Sequence, residues 1–144
     1  MLKLAGKAVS SIFVDTAPFI YFIEAHPTYR NALGKVFRED ASVLLLTSVI
    51  TVTEVLPKPV RDGHPEIVDA FLALLSGHEQ VRVLDIDFTI SERAGRLRGK
   101  YAFLRTMDAL QIAAALFADS TVFLTNDANL KRIREIEVVL VSDL

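Results

Sequence analysis

The sequence predicts an α/β protein, a three-layer α/β/α sandwich with a mostly parallel central sheet. Short apolar runs rich in β-branched and aromatic residues alternate with helix-like segments from Ser11 to the C-terminus, the spacing of strand–helix–strand units. Half of the chain (51%) is hydrophobic and its mean hydropathy is +0.36, so several elements must be apolar on more than one face, as in a sheet covered on both sides. Part of that excess is also available as surface for a partner chain. A length of 144 residues without internal repeat, linker or low-complexity tract fits a single domain, 1–144.

The elements follow in order. Ser11–Val14 reads as a strand, and Asp15-Thr16-Ala17-Pro18 as a tight turn into a helix through Phe19–Ile23, with Pro18 in the first helical position. His26-Pro27 breaks the chain, and Thr28 caps a helix to about Asp40 with Leu33, Val36 and Phe37 on one face. Val43–Leu46 is a second strand, followed by Thr47-Ser48 as turn and cap. Val49–Leu56 is strand-like by propensity, but Ser48 ahead and Pro57 behind bracket a short helix, and helix is the reading adopted. Pro57–Gly63 is a loop by composition. Pro65 opens a helix over Glu66–Ser76 that Gly77 closes. Gln80–Leu84 is a third strand before a helix from about Ile90 to Phe103. Arg105–Ala118 is an Ala-rich apolar helix with Thr106 as its cap. Ser120–Leu124, a short helix Ala128–Glu135 and a last strand Val138–Val141 complete the chain.

Four acids stand at or just beyond apolar segments that look buried: Asp15 and Asp127 past strand ends, Glu54 among the apolar neighbours of its helix, and Asp108 in the first turn of the Ala-rich helix. Each alone is explained as a cap, a turn acid or an exposed helix-end charge. Together they suggest one destination, because the carboxyl ends of strands in open α/β sheets form the ligand edge. Carboxylates without His or Cys suit a hard divalent cation such as Mg²⁺, whose chemistry at phosphodiesters is phosphoryl activation. Without metal the four charges repel, so some should be partly protonated.

The motifs Val14-Asp15-Thr16 before an aromatic helix, Thr51-x-x-Glu54-Val-Leu, Met107-Asp108-Ala-Leu-x-Ile-Ala-Ala-Ala and Phe123-Leu-Thr-Asn-Asp127 together resemble the PIN-domain ribonucleases, in particular the VapC-like toxins of toxin–antitoxin pairs. The resemblance runs from near Ile12 to the C-terminus. It implies a PIN-like α/β/α fold, Asp15, Glu54, Asp108 and Asp127 as catalytic and metal-binding acids, and Thr16, Thr125 and Asn126 as supporting polar neighbours. It further implies Mg²⁺ or Mn²⁺, an RNA substrate, an antitoxin protein and a homodimer. Asn129-Leu130 departs from relatives that carry an acid and an aromatic there, which removes a fifth acid and leaves the set of four.

Net charge is 16 minus 18, or −2, so any nucleic-acid contact needs a local basic patch. Arg93, Arg96 and Lys100 form one helical stripe, with Arg105 nearby; a solvated helix face explains it as well. Absence of Cys excludes disulfides, cysteine nucleophiles and thiolate-bound zinc. No run reaches the roughly 18 apolar residues of a membrane span, and the N-terminus makes a poor signal peptide, so a cytoplasmic location is expected. Two alternatives stand beside the ribonuclease reading. One is a non-catalytic PIN-like module that binds RNA or protein. The other is a haloacid-dehalogenase-type phosphatase using Asp85 and Asp87, with Thr89, Thr125 and Lys131; it lacks the later metal-binding acids, and Asp87 reads more simply as a helix cap.

Overall fold

A computed structural model describes residues 2–38 and 42–144. Five strands form the main sheet: β3 (Ser11–Val14), β4 (Leu44–Ser48), β5 (Val81–Leu84), β6 (Val122–Thr125) and β7 (Glu137–Leu140). All pair in parallel, in the order β5-β4-β3-β6-β7. The chain steps outward from β3 through β4 to β5, then returns to the other side of β3 for β6 and β7. The winding therefore reverses between β3 and β6, and in open parallel sheets the crevice beyond the strand ends at such a reversal is where ligands bind.

Alternation along the strands feeds two cores, one on each face. Ile12, Val14, Leu45 and Leu124 join Phe19, Leu33 and Phe71, contributed by α1 (Thr16–Ile23), α2 (Arg30–Arg38) and α5 (Pro65–Gly77). Phe13, Leu46, Phe123 and Val138 face Ile90, Leu97 and Ile112 from α6 (Phe88–Lys100) and α7 (Thr106–Phe117). The expected three-layer sandwich is thus the observed architecture. At its centre Phe13 and Phe123, paired in register, stack with ring centroids 5.6 Å apart. Ala109, Ala113, Ala114 and Ala115 are fully buried on α7, their small side chains letting that helix lie close to its neighbours.

Several boundaries differ from the expectations, each for a local reason. The N-terminus carries an antiparallel ribbon, β1 (Lys3–Leu4) with β2 (Lys7–Ala8), turned by Ala5 and Gly6 at φ 50° and 74°; two-residue strands leave no periodicity to read. The first helix starts at Thr16 with Asp15 as its cap, two residues before Pro18. α2 starts at Arg30, because the His26 ring, not Thr28, takes the Thr28 and Tyr29 N–H groups at 3.1 and 3.3 Å; its expected end near Asp40 lies outside the described residues. The proposed loop after α3 (Val49–Val55) holds a short helix, α4 (Pro57–Arg61). Prolines 57 and 59 fall in its first turn, where a missing N–H costs nothing. α6 starts at Phe88 and stops at Lys100, short of Phe103. Thr106 is the first residue of α7 and Arg105 holds the cap position without a side-chain bond. Ala128–Arg132 is a 3₁₀ turn shorter than the helix expected to Glu135. Among the described residues no helix is long and apolar enough to cross a membrane.

Truncating one member of the central stack should test how far the two cores are one cooperative unit. Phe123→Ala is expected to lower unfolding free energy by about 3–5 kcal/mol, seen as a lower denaturation midpoint with an unchanged slope. A changed slope would mean that the two faces unfold separately.

Candidate active site

Asp15 closes β3 and caps α1. Its Oδ1 accepts the Thr16 N–H and its Oδ2 accepts the Thr125 hydroxyl, both at 2.9 Å, while its own N–H donates to the Leu124 carbonyl at 2.9 Å. Asp127 repeats the arrangement beyond β6: its Oδ1 accepts the Asn129 N–H at 3.0 Å, and its N–H donates to Thr125 Oγ1 at 3.2 Å. Glu54 arrives on α3, where its Oε1 accepts the Thr16 hydroxyl at 2.7 Å. Asp108 is half-buried in the first turn of α7. Its carboxylate accepts no hydrogen bond from the protein among the described residues.

The electrostatics bring the four into one field. Burial pushes the Asp15 carboxyl up to about 6, against the opposing bonds from Thr16 and Thr125, and the charges of Asp108 and Glu54 push it further. Asp108 is also raised, first by burial, then by Asp127; Arg105 opposes, and Glu54 adds to the rise. Two acids from the reversal point and two from flanking helices therefore repel one another across a shared space. The cap bonds of Asp15 and Asp127 do not exhaust these groups, since each uses one face of one oxygen and aims the rest of the carboxylate.

The fit to a cation rests on this donor set. All donors are anionic oxygens, and Asp108, Glu54 Oε2 and Asp127 Oδ2 have no protein partner among the described residues. Among the described residues no three carboxylates close around one point tightly enough to hold an ion by themselves. Anionic oxygens are the donor type that hard divalent cations take together with water and phosphate oxygen.

Of the supporting residues, Thr16 bonds Asp15 and Glu54 and Thr125 bonds Asp15, whereas Asn126 donates to Tyr21 Oη at 3.2 Å. Arg105 is the basic residue whose charge is felt at Asp108. The Arg93–Arg96–Lys100 stripe lines a shallow cleft with Glu135, and its ion pairs run from Arg96 to Glu92 (3.9 Å) and from Lys100 to Glu135 (3.5 Å). Asp87 is the α6 cap, accepting the Ile90 N–H at 2.9 Å. Sequence reading missed Gln111, buried at 1% exposure beneath the acids. Its signal was available as the one polar side chain in the apolar run after Asp108.

The PIN domain family model matches residues 12–136, a span that includes all four acids. The chain belongs to the PIN-domain family. Its fold is similar to that of Mycobacterium tuberculosis VapC20, described as a sarcin–ricin loop cleaving toxin, with a TM-score of 0.71 and 17% identity over 88% of this chain and 98% of that one. The VapBC2 structure from Rickettsia felis bound to a promoter DNA fragment gives 0.68 and 17%, over 90% and 98%. FitAcB from Neisseria gonorrhoeae gives 0.66 and 18%, over 92% and 99%. No curated protein matches the sequence. Membership of this family sets aside the phosphatase alternative, in agreement with Asp87 serving as a cap.

The raised Asp15 pKa makes a signed prediction for the metal-free PIN domain. The folded chain holds this proton more tightly than the unfolded chain, whose Asp titrates near 3.8. The stabilisation is complete below that value and lost as pH rises through about 6. Asp108 acts in the same direction. Relative to Asp15→Asn, the wild type should lose roughly 2–3 kcal/mol between about pH 4 and 7.5, at 1.4 kcal/mol per pKa unit. Denaturation at each pH checks this; parallel curves for the two proteins would show that Asp15 carries no excess charge cost.

Proposed function

We propose that this PIN domain is a Mg²⁺- or Mn²⁺-dependent endoribonuclease and the toxin of a type II toxin–antitoxin pair. The observation that carries the reading is the common field of Asp15, Glu54, Asp108 and Asp127 beside the reversal point: burial and then the charges of Asp108 and Glu54 raise Asp15, and burial and then the charges of Asp127 and Glu54 raise Asp108. Family membership supports nuclease chemistry, and several similar folds are described as toxin–antitoxin complexes. The antitoxin, a homodimer and a cytoplasmic RNA substrate belong to the same proposal.

In this mechanism Asp15, Glu54, Asp108 and Asp127 would hold the metal, completed by water and phosphate oxygen. When bound, the ion would supply Lewis acidity at the scissile phosphoryl group and charge compensation for the leaving oxygen. Thr125 holds Asp15 in place while receiving the Asp127 N–H, so the two strand ends move as one. Thr16 steadies Glu54. Arg105, beside Asp108, offers positive charge to a backbone phosphate, a contact that sets register without reading sequence. Two of the acids serve fully as caps, which favours as second reading a non-catalytic RNA- or protein-binding module. Metal uptake separates the two.

Titration of Mn²⁺ or Mg²⁺ into the purified protein is expected to show binding that Asp15→Asn and Asp108→Asn each abolish. Asp108→Asn should also lower RNA cleavage by more than about a hundredfold, beyond the cost typical of an outer-shell partner, while the metal-free fold stays as stable or gains stability. A large stability loss would instead make Asp108 structural. Wild-type protein that neither binds metal nor cuts RNA points to the non-catalytic module.

For the basic residues, Arg105→Glu should weaken RNA binding and reduce its salt slope by about one phosphate contact. Arg96→Glu, whose partner is Glu92, should do so less. Equal effects would extend the RNA path along the α6 stripe.

A further inference from the structure

Four polar side chains are sealed in the core beneath the acids: Thr47, Ser48 and Thr51 at 0% exposure and Gln111 at 1%. Burying them is costly unless each is bonded, and their hydrogens can be followed one by one. Thr47 Oγ1 donates to the Val14 carbonyl on β3 at 2.8 Å. In its 2.8 Å contact with Thr51 the donor must then be Thr51. Thr51 has no hydrogen left and accepts from Gln111 Nε2 at 2.9 Å. The other end of that amide, Oε1, accepts the Ser48 hydroxyl at 2.5 Å, and Ser48 Oγ accepts the Ile50 N–H at 3.1 Å. The central strand thereby dictates which way round the amide sits.

One amide thus grips α3 twice, at its cap residue Ser48 and one turn later at Thr51. On α7, Gln111 follows Asp108 by three residues; on α3, Glu54 follows Thr51 by three. Each acid is one helical turn from the clamp, on the same side of its helix. By the same count Thr16 spends its hydrogen on Glu54 Oε1 at 2.7 Å, so its 3.3 Å approach to Thr51 Oγ1 is a packing contact. Thr51 and Glu54 lie on the same short helix, so a shift of α3 at Thr51 carries Glu54 with it. The rest of this stretch of α7 is filled by apolar residues, so packing alone does not call for an amide at this position.

We propose that Gln111 is a positioning residue that, through Ser48 and Thr51, fixes Glu54 relative to Asp108 and so sets the spacing of the metal-binding acids. Its consequence for cleavage rests on the nuclease reading; the clamp between α3 and α7 does not. The variants are Gln111→Met, close in volume but unable to bridge, Thr51→Val, which removes the hydroxyl, and Thr51→Ser, which keeps it. Mn²⁺ affinity is read by calorimetry, kcat and KM on single-stranded RNA, and helix spacing from spin labels at Thr53→Cys and Phe117→Cys. Both label sites are exposed, and the chain has no native cysteine to interfere.

Gln111→Met and Thr51→Val are each expected to lower Mn²⁺ affinity and kcat by about 10–100-fold, leave KM unchanged and shift or broaden the label distance. Thr51→Ser should restore all three. In a Glu54→Gln background, Gln111→Met should add nothing to the loss of Mn²⁺ affinity, the signature of two residues acting as one unit. A lower melting temperature with unchanged Mn²⁺ affinity and label distance would reduce Gln111 to core packing and overturn the proposal. Should the wild type take up no Mn²⁺ and cut no RNA, the nuclease reading fails, while the label distances still decide the clamp.

Discussion

The Thr125 hydroxyl is the contact on which the site depends. It donates to Asp15 and accepts from the Asp127 N–H, joining the ends of two adjacent parallel strands at the point where the sheet changes direction. Parallel pairing aligns the strand ends, but it does not aim the side chains that follow them. A short hydroxyl that bonds one acid and the backbone of the other does so within a single residue. It also lowers the cost of keeping a carboxylate so close to the apolar ends of β3 and β6, although burial still prevails and Asp15 remains well above the ordinary carboxylate range.

Capping performs a second task in this fold. Asp15 and Asp127 each end a strand and begin a helical turn, and a carboxylate in that position has one oxygen committed to a backbone N–H. The commitment removes rotational freedom that a metal ligand would otherwise lose on binding. Asp108 is different: it has the field of a helix N-terminus and no bond, so its position is inherited from α7. Glu54 is held by Thr16 and by the seating of α3. Two acids are therefore placed by local turn chemistry and two by helix packing.

That division explains what was legible in the sequence. Asp15 and Asp127 follow short apolar strands, and both strand and cap signals are local, so their places could be read directly. The helix over Val49–Val55 was legible from Ser48 and Pro57 against the strand propensity of its β-branched residues, because caps decide short elements. The Pro57–Arg61 helix was not, since prolines in a first turn look like a loop until the missing N–H groups are counted. Asp108 was visible, but its supposed cap Thr106 was off by one residue. Gln111 and the buried threonines escaped because their partners lie roughly 60 residues away, and no local pattern announces a bond across the sheet.

The two-sided core supplies the rigidity that the charged edge consumes. Four carboxylates in one field destabilise the chain locally when no cation is present, and a sheet with one wet face would offer that strain an easy route to fraying. Here β3, β4 and β6 are buried on both sides, and Phe13 stacks on Phe123 directly behind the strand ends. Burial is the first cause of the raised pKa at Asp15 and at Asp108, with neighbouring acids adding to it, while the parallel ladder beneath them stays closed. On the proposed nuclease reading, a divalent cation taken up at these acids would displace the proton that burial holds on Asp15, so uptake should release protons.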